Sequence, residues 1–391
     1  MSTAIIESME VINLAEHDFE LGPIRPPSEA FSLLIRVSRN CPWNRCIFCT
    51  VYKGKKFELR PVEDVIGDIE KAKKIADWIK GLAWQAGKPE QVREIAGAVY
   101  QQYAHIDAVR DVALWMFAGA KSVFLQDANS LIMKTPDLAR IVSFLKQTFP
   151  DIDRITSYAR SKTAAKKTVE ELKTLNEAGL TRLHIGMESG SDKVLELIQK
   201  GVTAAEHIKG GKNVMESGIE LSEYIIPGMG GRELSEDHVE GSAMVLNAVN
   251  PHFIRLRSLN MFPGIPLEEK IKNGEFVLQS EDEVVMEIRS LIEKLEVTSQ
   301  LKSDHMMNLL PEIDGKFPEA KADCLAIIDS YLSLPDDERL NYRLGRRGGY
   351  YEGLRDMKNE RKHQQIAKNI LDIRNSGEDV EDVIYRLKRP F

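Results

Sequence analysis

The stretch Phe31-Ser-Leu-Leu-Ile-Arg-Val37 runs, after three polar residues, into Cys41-Pro-Trp-Asn-Arg-Cys46-Ile-Phe-Cys49. Three of the chain's four cysteines lie in this one segment of a 391-residue sequence. The apolar run before them is rich in branched side chains and predicts a buried β-strand. We therefore expect the three cysteines to lie on a loop that directly follows the first strand.

Clustered cysteine thiolates bind soft metals and iron–sulfur clusters. A [4Fe–4S] cluster has four irons, so three cysteines would leave one iron free to bind a small molecule, which is typical of catalysis. Two other interpretations remain open at this point. One is a structural zinc site, which normally takes four protein ligands, with a distant side chain such as His184 as the fourth. The other is an iron–sulfur electron carrier or redox sensor, although a carrier normally has four cysteines.

The composition is that of an ordinary globular protein, with 43% hydrophobic and 29% charged residues. The formal net charge of −7 argues against bulk binding of nucleic acid, so a nucleic-acid partner is possible but not supported. The amino terminus lacks the pattern of a signal peptide, and no apolar stretch reaches about 18 residues. Four cysteines, three of them crowded, do not form a disulfide framework. We expect a cytoplasmic protein without a membrane span.

A strand–helix alternation extends from the cysteine segment toward the carboxyl terminus. The six predicted strands are residues 33–38, 122–127, 154–158, 182–188, 221–227 and 253–259. Segments with helical patterning lie between them, and such alternation builds a parallel sheet with right-handed crossovers. In these folds the ligand lies at the carboxyl ends of the strands. Polar residues follow all six predicted strands, which indicates one shared site.

The predicted fold class is therefore α/β, with two additions to the regular alternation. Residues 1–29 form an N-terminal segment, and residues 30–280 form the strand–helix domain. A helical insertion at about 61–120 is too long for one crossover helix. Residues 281–391 are predicted to form a C-terminal helical extension.

A strand, a three-cysteine loop and five further strand–helix units together resemble the radical S-adenosylmethionine (SAM) superfamily. Within it, Met187-Glu-Ser-Gly-Ser-Asp192 and Pro227-Gly-Met-Gly-Gly231 are similar to the branch containing Elp3, MiaB and coproporphyrinogen-dehydrogenase-like domains. The resemblance implies a partial (β/α)6 barrel and a [4Fe–4S] cluster held by Cys41, Cys46 and Cys49. It also implies that SAM chelates the open iron and is reductively cleaved to methionine and a 5′-deoxyadenosyl radical. The spacing here is C-x4-C-x2-C, one residue longer than the family's commonest C-x3-C-x2-C.

The resemblance also implies roles for residues at the strand ends. Glu188 matches an acid that hydrogen-bonds SAM in this branch, and Asp127 stands near the position of the family's Gly-Gly-Glu contact to the SAM amino group. The expected contacts to the methionine part of SAM are Ser157, Tyr158 and Arg160, and those to the adenine are Gly228 and Gly230. For Glu188 the alternative is a solvated residue at a strand end, and for Asp127 it is a turn or helix cap. For Arg160 the alternative is an ordinary surface ion pair. The implied partners are SAM, an unidentified substrate and an electron donor such as flavodoxin or ferredoxin.

Three features outside these motifs carry separate expectations. Cys324 lies in a helical pattern and is predicted to be a buried structural thiol. The segment Ser303-Asp-His-Met-Met-Asn308 either touches substrate or contains a structural histidine. The segment Tyr342-Arg-Leu-Gly-Arg-Arg-Gly-Gly-Tyr-Tyr351 interleaves arginine with tyrosine, and is either a nucleic-acid stacking surface or a polar turn between helices.

Overall fold

A computed structural model describes residues 14–388. Residues 1–13, which belong to the predicted N-terminal segment 1–29, lie outside the described residues. Residues 389–391, the end of the predicted C-terminal extension, also lie outside them.

The described strands are β1 (Leu33–Arg36), β2 (Ser38–Arg39), β3 (Glu58–Leu59), β4 (Ser122–Gln126), β5 (Arg154–Ala159), β6 (Arg182–Glu188), β7 (Glu220–Ile225), β8 (Phe253–Leu256), β9 (Gln300–Lys302) and β10 (Gly315–Lys316). Eight of them form one sheet in the order β1-β4-β5-β6-β7-β8-β9-β10. Parallel pairing joins β1 to β4, β4 to β5, β5 to β6, β7 to β8 and β8 to β9, whereas β10 is antiparallel to β9. Strands β2 and β3 form a separate antiparallel ladder. The predicted class, α/β with a mostly parallel sheet, is confirmed.

The helices are α1 (Val62–Gln85), α2 (Val92–Gln102), α3 (Asp107–Phe117), α4 (Thr135–Thr148), α5 (Ser161–Ala164), α6 (Val169–Ala178), α7 (Asp192–Leu197), α8 (Ala204–Glu216), α9 (Ser235–Val249), α10 (Pro266–Lys272), α11 (Glu281–Lys294), α12 (Lys321–Leu332), α13 (Asp336–Arg347), α14 (Glu360–Asn375) and α15 (Val380–Leu387). Local sequence explains the ends of several of them. Thr168 and Glu171 form a reciprocal capping box at the start of α6, and Gly179 ends that helix in the left-handed conformation at φ 119°. Ser191 accepts a hydrogen bond from the amide of Val194 and so begins α7.

The C-terminal region, predicted as a helical extension, contains two short strands besides its helices. Strand β9 pairs in parallel with β8, with Phe253 opposite Gln300, and β10 pairs with β9. Strands of three and two residues are too short to show a period in the sequence, and their place on the sheet edge comes from tertiary pairing. Three helices, α1 to α3, lie between β3 and β4, in the region of the predicted helical insertion. The domain boundaries at residues 29, 280 and 391 stay predictions.

Contacts divide the chain into two compact units. Unit 1 comprises residues 1–44, 51–185 and 212–221, and unit 2 comprises residues 45–50, 186–211 and 222–391. Cys41 belongs to unit 1, whereas Cys46 and Cys49 belong to unit 2. No helix within residues 14–388 is long and apolar enough to cross a membrane.

Each unit has its own apolar core. In unit 1, fully buried side chains of β1, β4 and β5 lie in the sheet, and α1 buries Ile69, Ile75 and Ile79. In unit 2, an apolar cluster includes Ile47, Ile198 and Met229, with Phe48 packed against it. The cysteine segment therefore contributes one of its own residues, Ile47, to a core.

Candidate cofactor site

The loop that carries the cysteines, residues 40–57, lies between the paired strands β2 and β3. Within it, Asn44 has a left-handed backbone conformation at φ 48°, which asparagine tolerates better than most residues. The amide of Asn44 donates a hydrogen bond to the Cys41 sulfur at 3.4 Å. Its side chain donates to the carbonyl of Tyr52 and, at 3.2 Å, to that of Lys55. Asn44 therefore fixes the turn after Cys41 and presents a backbone donor to the sulfur.

The second half of the cysteine segment is held through Ile47, whose side chain is only 3% exposed. Its amide donates to the carbonyl of Ile198 at 3.1 Å, and its carbonyl accepts from the amide of Leu267 at 3.1 Å. The amide of Cys49 donates to the carbonyl of Cys46 at 3.4 Å, so the two cysteines lie in one short turn. Core packing of Ile47 therefore positions the backbone on which Cys46 and Cys49 stand.

The three cysteines of the segment are half-buried, whereas Cys324 is fully buried, as expected. Burial raises the pKa of the Cys324 thiol to about 11, which disfavours a ligand role. Within residues 14–388, no group of three or more His, Cys, Asp or Glu side chains is arranged to hold a metal ion. The fit to a [4Fe–4S] cluster therefore rests on the donor set, three accessible thiols with an amide directed at one of them.

His184, the distant zinc ligand considered above, is fully buried. Its Nε2 atom lies 3.4 Å from the carboxylate of Glu29 and 3.4 Å from the hydroxyl of Ser28. Arg154 also pairs with Glu29, at 3.1 Å. These contacts give His184 a structural environment within unit 1.

Asp127, at the end of β4, is fully buried and surrounded by donors. Its Oδ2 atom accepts from Arg36 Nη2 at 2.6 Å and from the amide of Asn40 at 2.9 Å, and its Oδ1 atom accepts from the hydroxyl of Tyr52 at 2.9 Å. Burial and the Asp127 charge raise the pKa of Tyr52, so the phenol stays a donor. Because Asn40 and Tyr52 flank the cysteine segment, Asp127 holds the base of this loop. Its direct contact with SAM stays a prediction.

Of the residues predicted to contact the methionine part of SAM, Ser157 and Tyr158 lie in β5 and Arg160 directly follows it. The Ser157 hydroxyl donates to the carbonyl of Tyr158 at 3.1 Å. The Tyr158 ring packs edge-on against Phe124, with ring centroids 5.1 Å apart. The guanidinium of Arg160 lies 5.1 Å from the ring centroid of Trp43, which stands inside the cysteine segment. Arg160 therefore meets that segment directly, whereas Ser157 and Tyr158 are held by neighbours on the sheet.

Glu188, at the end of β6, has a left-handed backbone conformation at φ 63°. Its carboxylate accepts from the ammonium of Lys200 at 2.8 Å, and that ammonium lies 6.0 Å from the ring centroid of Phe48. Glu223 on the neighbouring strand is fully buried, and its Oε2 atom has no hydrogen-bond partner among the described residues. Burial, reinforced by the charge of Glu188, raises the pKa of Glu223 well above its usual range. The acid predicted to bind SAM thus belongs to a group of three ionisable side chains, Glu188, Lys200 and Glu223.

The glycines predicted to lie near the adenine have structural requirements of their own. Gly228 has φ 83°, and its amide donates to Glu287 at 2.7 Å. A Cβ on Gly230 would lie 2.6 Å from the carbonyl oxygen of Leu234. Both positions therefore require glycine for the loop itself, and their contact with adenine stays a prediction.

Sequence analysis missed the side chains that support these residues. Arg36 is the last residue of the buried strand β1 and pairs with Asp127. A charged residue in a buried strand is a sequence signal for such a buried ion pair. Tyr52, Lys200 and Glu223 carry no local signal, because their partners are distant in sequence or depend on the fold.

The tyrosines of the segment 342–351 divide between core and surface. Tyr342 and Tyr351 are fully buried and stacked, with ring centroids 6.0 Å apart, whereas Tyr350 is 43% exposed. Arg343 and Arg347 are bound to acidic side chains. Two of the three tyrosines are therefore core residues that cannot stack on nucleic acid.

Comparison with known proteins gives a family for this arrangement. Residues 35–240 match the radical SAM superfamily, which is 206 of 391 residues. Among solved structures, coproporphyrinogen III oxidase (HemN) from Escherichia coli has a TM-score of 0.43 at 16% identity, covering 67% of this chain and 51% of that one. Methylornithine synthase (PylB) has a TM-score of 0.42 at 14% identity, covering 75% and 77%. Archaeal Elp3 from Methanocaldococcus infernus has a TM-score of 0.38 at 17% identity, covering 47% and 48%.

Two curated relatives also match part of the chain. They are the tRNA uridine(34) acetyltransferases of Methanocaldococcus infernus and Methanocaldococcus jannaschii, 26% and 25% identical over 139 residues. The matched stretch is 34% of this chain and 26% of each relative. The chain therefore spans about a quarter of the length of these curated relatives.

Proposed function

Since this chain belongs to the radical SAM superfamily, whose enzymes use a [4Fe–4S] cluster and SAM, we propose that it reductively cleaves SAM to act on an unidentified substrate. The observation that carries this proposal is the set Cys41, Cys46 and Cys49 inside the matched range 35–240. The three cysteines are half-buried, so they are only partly shielded from solvent.

When bound and reduced, the cluster supplies one electron that splits SAM into methionine and a 5′-deoxyadenosyl radical. We propose that a flavodoxin- or ferredoxin-type protein delivers that electron. The chain's own residues hold and orient the reactants. Asn44 and Ile47 fix the two halves of the cysteine segment, and Asp127 fixes its base.

The SAM-binding roles rest on two charged side chains. Glu188 offers a carboxylate to the SAM hydroxyl or amino groups, and Lys200 holds that carboxylate in place at 2.8 Å. Arg160, stacked on Trp43, offers a guanidinium that binds the methionine carboxylate bidentately. Ser157, Tyr158, Gly228 and Gly230 complete the proposed SAM site.

The partial match to the archaeal tRNA uridine(34) acetyltransferases supports the Elp3-containing branch named from the sequence. Fold and branch do not fix the substrate, because relatives with one fold act on different molecules. The proposed location is the cytoplasm, on the basis of the cysteine usage.

Metal analysis and electron paramagnetic resonance of anaerobically prepared protein test the proposal. We expect about four irons per chain, and a spectrum of the reduced cluster that changes when SAM is added. Replacing Cys41, Cys46 and Cys49 together with alanine should abolish the iron, whereas the matched variant Cys324→Ala should retain it. Zinc in place of iron would contradict the proposed iron–sulfur cluster. A spectrum that does not change when SAM is added would favour an electron carrier or redox sensor.

A further inference from the structure

The turn of residues 228–231, between β7 and α9, lies in neither a strand nor a helix. Gly228 and Gly231 both have left-handed backbone conformations, at φ 83° and φ 61°. The amide of Gly231 donates to the carbonyl of Gly228 at 3.0 Å, and this hydrogen bond closes the turn. Pro227, Gly228 and Gln279 line a cavity of about 190 Å³, so a ligand can reach the start of the turn.

Glu287, on α11, holds both ends of this turn. Its side chain is buried, and its Oε1 atom accepts from the amide of Gly228 at 2.7 Å. Its Oε2 atom accepts from Gln279 Nε2 at 2.8 Å, and the same nitrogen donates to the carbonyl of Gly231 at 3.3 Å. One carboxylate therefore fixes the first residue of the turn directly and the last residue through Gln279.

The same carboxylate faces the end of β6. The His238 Nε2 atom lies 3.6 Å from Glu287 Oε1, and the His238 Nδ1 atom lies 2.8 Å from the hydroxyl of Ser189. Burial lowers the pKa of His238 more than the charge of Glu287 raises it, so the imidazole stays neutral. Ser189 directly follows Glu188, the acid proposed to bind SAM. Glu287 is therefore connected to the ends of both β6 and β7.

Neutral donors, rather than cations, stabilise the charge of Glu287. Among residues 14–388, the neutral His238 is the only basic side chain close to this carboxylate. The hydroxyl of Ser235 donates to its Oε2 atom, beside the two donors that hold the turn. Hydrogen bonds to an ionised acceptor are roughly twice as strong as those between neutral groups. The charge of Glu287 therefore strengthens the hydrogen bonds that fix the turn.

We propose that Glu287 is a positioning residue for adenosine-bearing ligands, because it sets the turn against which the adenine of SAM is held. The inference rests on the proposed function, which places Gly228 and Gly230 in the SAM site. Glu287 lies beyond the matched range 35–240, so this role is not contained in the superfamily match. Helix α11 thereby gives the C-terminal region a part in SAM binding.

Two carboxylates on α11 offer a matched pair of variants. Glu287→Gln keeps the side-chain volume, but a glutamine has only one oxygen, so its NH2 group faces the amide of either Gly228 or Gln279. In each orientation one hydrogen bond that holds the turn is lost. Asp282, on the same helix, binds Arg339 at 2.9 Å and makes no hydrogen bond to the turn among the described residues. Asp282→Asn should therefore lower Tm and leave the turn intact.

Anaerobic isothermal titration calorimetry of the reconstituted holoenzyme, with SAM and S-adenosylhomocysteine as probes, tests the role of Glu287. We expect Glu287→Gln to raise both Kd values about ten-fold, since a charge-assisted hydrogen bond is lost. Asp282→Asn should keep both Kd values. At saturating SAM, the paramagnetic resonance spectrum of the reduced Glu287→Gln cluster should equal that of the wild type, because the turn does not hold the methionine end of SAM.

Hydrogen–deuterium exchange without ligand provides a readout that needs no bound SAM. The amides of residues 228–231 should exchange faster in Glu287→Gln than in the wild type, and at the wild-type rate in Asp282→Asn.

Several results would overturn the inference. These are unchanged Kd values in Glu287→Gln, equal losses of affinity in the two variants, an altered spectrum at saturating SAM, or wild-type exchange in the turn of Glu287→Gln. A wild type that binds both probes and releases no 5′-deoxyadenosine would contradict the proposed cleavage alone. A wild type that binds neither probe would contradict both the proposed function and this inference.

Discussion

Glu188 combines two features that are costly in isolation, a left-handed backbone and a largely buried carboxylate. Its φ is 63°, and the side chain of its partner Lys200 is only 11% exposed. Strained backbone of this kind costs of order 1–3 kcal/mol and is concentrated at functional sites. The contact with Lys200 offsets part of the cost of burying the charge, and leaves the second carboxylate oxygen for a ligand.

We expect Glu188→Ala to weaken SAM binding while the protein keeps its iron. A charge-assisted hydrogen bond contributes roughly 1.5–3 kcal/mol, so the Kd should rise about ten-fold or more. Isothermal titration calorimetry under anaerobic conditions gives the Kd. Glu196→Ala removes an exposed carboxylate from the same unit and serves as the control. An unchanged Kd in Glu188→Ala would exclude Glu188 from the SAM site.

At the scale of elements, the loop 40–57 depends on a strand end outside it. Asp127 connects Asn40 at the start of the loop to Tyr52 near its end, and Arg36 balances its charge. A carboxylate that accepts four hydrogen bonds in a dry environment is rigid, and its partners are held with it.

Tyr52→Phe should therefore loosen the cysteine loop. It leaves the Oδ1 atom of Asp127 without the Tyr52 donor, at a cost of about 1–3 kcal/mol in the free energy of unfolding. The expected result is faster loss of iron–sulfur absorbance when a chelator is added. Tyr350→Phe, which alters an exposed ring, should lose iron at the wild-type rate. Equal rates in the two variants would mean that Asp127 does not position the loop through Tyr52.

Helix α3 packs against β1 through a carboxylate whose charge depends on pH. Asp111 accepts from the amide of Leu34 at 2.9 Å, and burial raises its pKa to about 7. Because the folded-state pKa lies above the unfolded value of 3.8, the stability that this group contributes is complete below that value and is lost as pH rises through 7.

Asp111→Asn removes this titration. The variant should gain stability relative to the wild type between pH 5 and pH 8, with a difference on the order of a few kcal/mol. Urea unfolding at both pH values measures this difference in the free energy of unfolding, with Asp151→Asn, which alters an exposed carboxylate, as the control. A gain that is the same at pH 5 and pH 8 would show that Asp111 does not titrate in this range.

The elements found from sequence are those whose signal is local. The apolar runs of β1 and β4 to β8 are buried and continuous, and the capping box of α6 lies within four residues. Strands β9 and β10 were missed because two or three residues show no period. The cysteines proposed as ligands were visible for the same reason, since one short segment contains them. The pairs Arg36–Asp127 and Glu188–Lys200 were not visible, because the fold alone brings them together.

At the scale of the whole molecule, the superfamily match ends at residue 240, whereas strands β8 to β10 and helices α10 to α15 lie beyond it. Family membership indicates the SAM chemistry and does not fix the substrate.

The most direct test of SAM cleavage is the yield of 5′-deoxyadenosine from reconstituted protein incubated anaerobically with SAM and dithionite. Liquid chromatography with mass spectrometry quantifies 5′-deoxyadenosine and methionine against a blank, the variant that lacks Cys41, Cys46 and Cys49. We predict both products in equal amounts from the wild type, and neither above background from the variant. Protein with full iron content and demonstrated SAM binding that releases no 5′-deoxyadenosine would contradict a radical SAM reaction.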